Sequence, residues 1–226
     1  MADLPAVFEE VLEEGLGALE VYVDASARRR LGVYAERLLA WNRKVNLTAI
    51  TSVEQVAEWH VVDSLALLRT LGEARTLLDI GSGPGVPGVV LAIARARLEV
   101  VCCESNRKKV AFVKAIAAEL GVSVRAVAVR AEGMPEEEGL ARCEAVVSRA
   151  LAEPSQWMAL GARYLVPGGR LFVMLGRGEV GLEELGRANG LELEVVDRFV
   201  LPRSRARRAI ARLRGPIVPR GTIGLR

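Results

Sequence analysis

The sequence contains few of the residues that build metal sites and disulfide frameworks. It has three cysteines and one histidine in 226 residues, and the cysteines lack both the spacing of zinc ligands and the even number of a disulfide framework. We therefore predict no bound metal and interpret the cysteines as core residues. No apolar run approaches the ~18 residues of a membrane span. The N-terminus lacks the basic start of a signal peptide, so we predict a cytoplasmic protein that does not bind membranes.

Acidic residues are absent from the C-terminal end, where basic residues concentrate. Nine of the 31 lysines and arginines lie from Arg198 to Arg226, and the preceding 197 residues therefore hold 22 basic and 28 acidic residues. A basic end on an acidic body indicates contact with a polyanion. In an extended strand, Arg203, Arg205 and Arg207 would lie on one side as a ladder for phosphates, with Arg208 beyond. A solvated edge strand is the alternative interpretation.

A glycine-rich loop follows an apolar strand in the segment LLDIGSGPGVPG, residues 77–88. Gly81, Gly83 and Gly85 allow a tight turn and a close approach of the backbone to a ligand, and the following helix turns its N-terminal amides toward that ligand. Gly83-x-Gly85-x-x-Gly88 also matches the dinucleotide fingerprint, which is a weak signal alone. Asp79 favours the sulfonium and ammonium of S-adenosylmethionine over a pyrophosphate.

Charged residues follow each of the next three predicted strands. Leu98 to Cys103 ends at Glu104, whose carboxylate can accept both hydroxyls of a ribose, and Ser105 is predicted to cap a helix that runs to Leu120 and stops at Gly121. Strand 122–129 leads to Ala131 and Glu132, and strand 144–148 leads to Arg149.

Parallel strands present their carboxyl ends at one edge of a sheet, where ligands bind. We therefore predict that Asp79, Glu104, Glu132 and Arg149 converge on one crevice. The alternatives are that these are ordinary polar loop residues, or that Arg149 only forms an ion pair with Glu132.

The first 72 residues predict helices rather than strands. Ser26 is the predicted cap of a helix with apolar residues at helical spacing, and residues 53–59 and 64–71 predict two shorter helices. Later in the chain we predict a helix from Pro154 to Leu165, a fifth strand over 171–175, a helix over 181–189, and a final pair of strands over 191–201 and 207–213.

Three motifs together resemble the bacterial small-subunit ribosomal RNA guanine-N7 methyltransferases, also called glucose-inhibited division protein B. They are WNRKVNLTAI at 41–50 with HVVDSL at 60–65; DIGSGPGVPG at 79–88; and SNRKK at 105–109 with VRAE at 129–132 and SRA at 148–150. The resemblance covers roughly residues 25 to 220, and its first motif is more specific than the glycine loop.

The resemblance implies an α/β fold: a Rossmann-like, seven-stranded S-adenosylmethionine-dependent methyltransferase sheet in residues 73–226, with residues 1–72 as a helical cap on the same structural unit. It implies S-adenosylmethionine as methyl donor and a guanine in the 530 loop of 16S rRNA, in the small ribosomal subunit, as acceptor; we expect a monomer. The cofactor-contacting positions carried over are Gly81, Val86, Glu104, Ala131, Glu132 and Arg149. Beside the arginine ladder and Arg208, we predict RNA contacts at Asn42, Arg43, Lys44, Asn46, His60 and Lys108. Asn42, Asn46, His60, Asp63 and Ser64 match positions of the family motifs, and we expect them to orient the cap or the base. For His60 we expect a structural or RNA-contact role rather than that of a general base.

Methylation of guanine N7 uses a ring lone pair without a proton, so no general base is required. We therefore assign no catalytic base, and interpret Arg130 and Arg149 as the best candidates for positioning guanine O6 or a phosphate. Three alternatives stay open: a small-molecule methyltransferase, an oxidoreductase that uses the dinucleotide fingerprint, and an RNA-binding protein with a vestigial donor site.

Overall fold

The computed structural model describes residues 6–149, 153–176 and 181–216. Its α-helices are Ala6–Leu19 (α1), Ala25–Val45 (α2), Val53–Gln55 (α3), Asp63–Leu65 (α4), Gly88–Ala94 (α5), Arg107–Leu120 (α6), Pro154–Gly161 (α7) and Leu182–Ala188 (α8). A π-helix spans Val56–Val62, and 3-10 helices span Ala66–Arg69 and Ala162–Tyr164. The strands are Thr76–Ile80 (β1), Glu99–Cys103 (β2), Val124–Val127 (β3), Cys143–Arg149 (β4), Leu165–Leu175 (β5), Glu192–Val200 (β6) and Arg207–Arg214 (β7). Ala150, Arg220 and Arg226 lie outside the described residues.

The strands form one seven-stranded sheet in the order β3-β2-β1-β4-β5-β7-β6. Strands β1 to β5 are parallel, and β7 is antiparallel to both of its neighbours. The chain changes direction across the sheet between β1 and β4, and ligands bind at such switch points. Asp79 pairs with Val147, so the loop after β1 comes level with Arg149. The predicted α/β class and the seven-stranded sheet are confirmed.

Helix α2 packs on α5 and α6 through its apolar stripe. Leu31, Tyr34 and Leu38 recur at helical spacing and are fully buried, as an amphipathic helix with one face in the core requires. One continuous apolar cluster joins them to Leu77 of β1 and Ile210 of β7. We propose that the helices up to residue 72 cap the sheet domain as part of one structural unit, which this shared core supports.

Three predicted helix boundaries are wrong. Asp24 rather than Ser26 caps α2, because its Oδ1 accepts a hydrogen bond from the Ala27 N–H at 2.8 Å. The two short helices predicted over 53–59 and 64–71 are replaced by a π-helix between single turns of α-helix, followed by a 3-10 turn. The helix that begins at Pro154 ends at Gly161, so it stops before the predicted Leu165.

Strand β5 begins six residues earlier than the predicted 171, at Leu165. Residues 167–169 lie inside this strand. Leu165 pairs with Cys143 and Arg170 pairs with Ala145, so the register of β5 on β4 shifts over these residues and the strand continues through them. Helix α6 ends where predicted, at Leu120, with Gly121 in the left-handed conformation at its C-cap. None of the helices in the described part of the chain has the length and apolar character that a membrane crossing requires.

Candidate functional site

The glycine loop connects β1 to α5 and is held by backbone hydrogen bonds. The N–H groups of Gly81 and Ser82 donate to the Cys103 carbonyl at 2.8 and 3.2 Å, which fixes the loop to the end of β2. Gly81, Gly83 and Gly85 all have positive φ. A Cβ at Gly83 would meet no atom within 4 Å, whereas at Gly85 it would lie 2.3 Å from the Val89 side chain. Gly83 thus faces open space, and Gly85 allows the loop to pack on α5.

Asp79 lies beneath this loop rather than in the open. It is fully buried, and its Oδ2 accepts a hydrogen bond from the Gly88 N–H at 2.8 Å. Burial raises its pKa to about 7, against the opposing effects of the Gly88 hydrogen bond and the Arg149 charge. This carboxylate is therefore not exposed to a ligand in the structure, and its role in cofactor binding stays a prediction. Asp79 shapes the loop, and any effect on a cationic ligand acts through its field.

A cleft of about 500 Å³ opens at the carboxyl ends of β1, β2 and β3. Glu104 lies at its base, where its Oε2 accepts from the Gly83 N–H at 3.0 Å and its Oε1 accepts from the Asn106 N–H at 2.8 Å. The carboxylate is thus oriented by two backbone amides toward a ligand on the glycine loop. The lining residues include Gly81, Glu104, Ser105, Arg130, Ala131 and Glu132.

The helix after β2 is capped by a neighbour of the predicted residue. Asn106 Oδ1 accepts from the Lys108 N–H at 2.9 Å and is the N-cap of α6. Ser105 remains exposed at the cleft, with its hydroxyl 3.4 Å from Glu104 Oε1. Val86 was carried over as a cofactor-contacting position, but the residue is only 3% exposed and packs in the core. Its N–H donates to the Ser82 carbonyl at 2.9 Å, so Val86 helps to close the glycine loop.

The loop after β3 is anchored by a residue that sequence reasoning missed. Glu138 Oε1 accepts from the N–H groups of Glu132 and Gly133, both at 2.8 Å, and its Oε2 accepts from the Tyr164 hydroxyl at 2.6 Å. The Glu132 side chain is exposed and forms an ion pair with Arg130 at 2.5 Å. Both therefore remain at the mouth of the cleft.

Arg149 faces a second pocket of about 310 Å³, lined by residues at the carboxyl ends of β4, β5 and β6 and at the start of β7. Its guanidinium donates to the Trp59 carbonyl at 2.5 Å and to His60 Nδ1 at 2.9 Å, and lies 3.5 Å from Asp63 Oδ2. The predicted residues therefore line two cavities at the carboxyl edge of the sheet, with Glu104 and Glu132 in the first and Arg149 in the second. Arg149 pairs with the helical cap rather than with Glu132.

His60 and Asn42 are structural residues. His60 is 3% exposed and its Nε2 lies 3.0 Å from Thr48 Oγ1, while Asn42 is 7% exposed and bonds the backbone of Thr48. Burial and the Arg149 charge lower the pKa of His60 to about 3, so the ring is neutral. Because Arg149 donates to Nδ1, the ring proton lies on Nε2. Neither side chain reaches the surface, so the structure gives the predicted RNA contacts of His60 and Asn42 no support. Their contacts with Thr48 and Arg149 fit the other expectation, that both residues orient the cap.

The arginine segment is a turn between β6 and β7, not an extended ladder. Arg205 has φ 56°, a left-handed conformation that an extended strand excludes. Arg203 lies within 2.7–3.0 Å of carboxylates on α1 and α3, so the prediction that it presents a free guanidinium is wrong. The side chains of Arg205 and Arg207 are exposed and have no bonding partner among the described residues.

Glu58 is the second residue that sequence reasoning missed. Although only 3% exposed, its Oε1 accepts from the N–H groups of Arg203 and Ser204 at 2.7 and 3.0 Å. A buried carboxylate on the π-helix therefore fastens the arginine turn to the cap. Tyr34 has a similar role, since its hydroxyl donates to the Pro84 carbonyl of the glycine loop at 3.0 Å. A partner 50 or 145 residues away leaves no local sequence signal.

The remaining predicted RNA-binding residues lie on the surface. Arg43, Lys44, Asn46 and Lys108 are exposed, and Asn46 ends α2 in the left-handed conformation. Arg208 is half-buried, with its Nε 3.5 Å from Asp63 Oδ1 inside the second pocket. No cluster of three or more metal-binding side chains occurs within the described ranges.

The residues of the first cleft fit S-adenosylmethionine. Gly83 leaves room above the loop for the methionine part, and Glu104 provides a carboxylate at the end of β2 for ribose hydroxyls. Ala131 and Glu132 close the far side, where an adenine would lie.

Solved structures with this fold include a methyltransferase from Pyrococcus furiosus, which is 16% identical with a TM-score of 0.58 and covers 85% of this chain and 100% of that one. The [4+2]-cyclase SpnF is 20% identical with a TM-score of 0.59, covering 84% of this chain and 94% of the other. At such identities the likeness concerns the fold, which hosts more than one chemistry.

The sequence comparisons are closer. The protein from Anaeromyxobacter sp. (strain Fw109-5) called ribosomal RNA small subunit methyltransferase G is 61% identical over 209 residues, 92% of this chain and 97% of that protein. The protein of the same name from Myxococcus xanthus (strain DK1622) is 46% identical over 91% of this chain and 96% of its own length. The family model for rRNA small subunit methyltransferase G matches residues 27–199. The chain therefore belongs to the rRNA small subunit methyltransferase G family, whose methyl donor is S-adenosylmethionine.

Proposed function

We propose that this protein transfers the methyl group of S-adenosylmethionine to N7 of a guanine in the 530 loop of 16S rRNA. The observation that carries the proposal is the pair of cavities at the carboxyl edge of the sheet, in a chain of this family. One cavity has the features of a donor site, and the other has arginines at its wall. A methyl acceptor must approach from the side opposite the sulfonium leaving group, and we propose that it does so from the second cavity.

In the donor cavity, we propose that Glu104 binds the ribose hydroxyls and that Gly81, Gly83 and Gly85 form the backbone wall. Ser105, Ala131 and Glu132 line the adenosine side, while Asp79 and Val86 act through the shape of the loop. S-adenosylmethionine supplies an electrophilic methyl group there. The protein holds this group and excludes water, and needs no proton acceptor because N7 of guanine carries no proton.

The buried network supports the absence of a general base. Both nitrogens of His60, the only histidine, are engaged by Arg149 and Thr48. We propose that His60 holds Arg149 at the wall of the second cavity, where its guanidinium can donate to O6 or to a phosphate of the acceptor nucleotide. Arg130 lies at the mouth of the donor cavity and is the weaker candidate for this role.

RNA binding is proposed for exposed cations and for Asn46. Arg205 and Arg207 are unpaired among the described residues and project from the β6–β7 turn, while Arg43, Lys44, Asn46 and Lys108 are also exposed. The arginine and lysine charges would neutralise phosphates, so the affinity should fall steeply with salt. Asn46 is neutral and would contribute hydrogen bonds only. We propose a cytoplasmic monomer that acts on the small subunit without a metal or a membrane.

The test is transfer of labelled methyl from S-adenosylmethionine to small ribosomal subunits from cells that lack the activity. The modified base is then mapped by cleavage specific for 7-methylguanine. We expect one modified guanine, in the 530 loop. Donor binding without transfer to RNA would favour a small-molecule methyltransferase or a vestigial donor site, and binding of NADH without binding of S-adenosylmethionine would favour an oxidoreductase.

A further inference from the structure

Asp63 is a buried carboxylate that lies between two arginines in the second cavity. It begins α4 directly after the π-helix and is 5% exposed. Its Oδ2 lies 3.5 Å from the Arg149 guanidinium and its Oδ1 lies 3.5 Å from Arg208 Nε. Both distances exceed those of a strong charge-assisted hydrogen bond. The two arginines partly neutralise the carboxylate without saturating it.

One oxygen of this carboxylate lacks a donor. Oδ1 accepts no hydrogen bond from any described residue, although it is inaccessible to solvent. A buried acceptor left in this state costs about 1–3 kcal/mol, and more when it is charged. Burial also raises the pKa of Asp63 against the effect of both arginines. A group that is held at such a cost in a cavity is a candidate for binding a ligand that supplies hydrogen-bond donors.

The walls of the cavity suit a flat ring. Phe199, Met174 and Ile210 line it together with the polar groups of Asp63, Arg149 and Arg208. Its volume of about 310 Å³ lies at the lower end of the range for small-molecule sites. Apolar and aromatic walls with a few polar groups are also how proteins bind a base that has left its stack.

We infer that Asp63 recognises the acceptor guanine by accepting hydrogen bonds from its N1–H and N2–H₂ groups. Arg208, which is half-buried and hydrogen-bonds only the Arg207 carbonyl among the described residues, moves aside to admit the base. Guanine presents two adjacent donors on this edge, which match the two oxygens of a carboxylate, whereas adenine presents an acceptor at N1. N7 lies on the opposite edge of the purine and is left free for the donor cavity. This inference rests on the proposed function and specifies how the base is selected.

The experiment compares guanine with inosine, which lacks the N2 amino group, at the target position. Small subunits are reconstituted with 16S rRNA that carries either base at this position, and kcat/KM for methyl transfer is measured on both. One lost hydrogen bond to a charged acceptor predicts that the wild-type protein prefers guanine about 10- to 100-fold. In Asp63→Asn, the amide repels the N2 donors, so kcat/KM for guanine falls at least about tenfold and the preference shrinks to within about threefold.

Asp197→Asn is the matched control. Asp197 is also a largely buried carboxylate paired with an arginine, Arg69 at 2.9 Å, and also has an oxygen without a donor, but it does not line the cavity. We expect its preference for guanine to equal that of the wild type. Donor affinity, measured by calorimetry, should be unchanged in both variants and shows that each is folded.

The outcomes separate the two proposals. If the wild type methylates both substrates equally, Asp63 does not recognise the N2 group, and the inference fails while the proposed function stands. If Asp63→Asn lowers kcat/KM by the same factor on both substrates, the variant prefers guanine as strongly as the wild type does. Asp63 is then a structural residue, and the inference is overturned. If the wild type transfers no methyl to the guanine substrate, the proposed function itself fails. Because the wild-type ratio is a test in itself, an unfolded variant does not prevent a decision.

Discussion

Replacing Asp79 with asparagine should make the stability of the protein less dependent on pH. The Asp79 carboxyl is fully buried under the glycine loop, and burial raises its pKa to about 7 from the ordinary 3.8. Between these two values the folded protein binds more protons at this group than the unfolded chain does. The contribution of this group to stability is therefore fully present below pH 3.8 and is lost as the pH rises through 7.

The size of the effect follows from the gap between the two pKa values. At 1.36 kcal/mol per pH unit, the gap corresponds to roughly 4 kcal/mol of stability lost by the wild type between about pH 4 and pH 8. Asparagine keeps an acceptor for the Gly88 N–H, now 2.8 Å from Asp79 Oδ2, but has no charge to bury. Its amide nitrogen would replace an oxygen that has no partner, at a cost that does not vary with pH.

The assay is urea unfolding at several pH values, followed by tryptophan fluorescence. We expect the free energy of unfolding of Asp79→Asn minus that of the wild type to rise by roughly 3–4 kcal/mol from pH 4 to pH 8. Asp79→Ala is the control, because it removes both the charge and the hydrogen bond. It should be less stable than Asp79→Asn at every pH and show the same pH trend. If the difference in the free energy of unfolding between Asp79→Asn and the wild type does not change from pH 4 to pH 8, the Asp79 carboxyl does not have a raised pKa.

Three further changes test other parts of the site. Gly83→Val should abolish donor binding by calorimetry, because Gly83 has φ 54° and faces the open side of the loop; unchanged affinity would refute the donor site. Replacing Arg205 and Arg207 with alanine should weaken RNA binding and leave donor affinity unchanged. The slope of the logarithm of the RNA binding constant against the logarithm of salt concentration should become shallower by about one to two. An unchanged slope would mean that both arginines are ordinary surface residues. Glu58→Ala should lower the free energy of unfolding, measured in urea, by roughly 2–3 kcal/mol, because the N–H groups of Arg203 and Ser204 lose their acceptor. A loss below about 0.5 kcal/mol would show that Glu58 does not hold the arginine turn to the cap.

Local patterns were sufficient for much of the fold. The glycine loop, helix α6 with its stop at Gly121, and the final pair of strands were predicted because apolar periodicity and turn residues act within a few positions. Glu104, Ala131 and Glu132 were placed at one cleft because parallel strands present their carboxyl ends at a common edge. Each of these inferences needs only the order of the elements along the chain.

The arginine segment shows where local patterns mislead. Its alternation suggested an extended ladder, but the chain turns there and Arg203 contacts acidic side chains of the N-terminal helices. Glu14 and Arg203 are 189 residues apart, and no periodicity records a partner at that distance.

The sequence by itself determined the class of fold, the position of the glycine loop and the cleft residues, because these depend on the character and order of successive elements. Only the tertiary structure decided what each polar side chain faces. Asp79 and His60 have the chemistry of ligand-binding residues but are buried by distant parts of the chain, and His60 meets Arg149 across 89 residues. Burial and pairing of a side chain depend on packing between elements, which is set by the whole fold rather than by the neighbouring sequence.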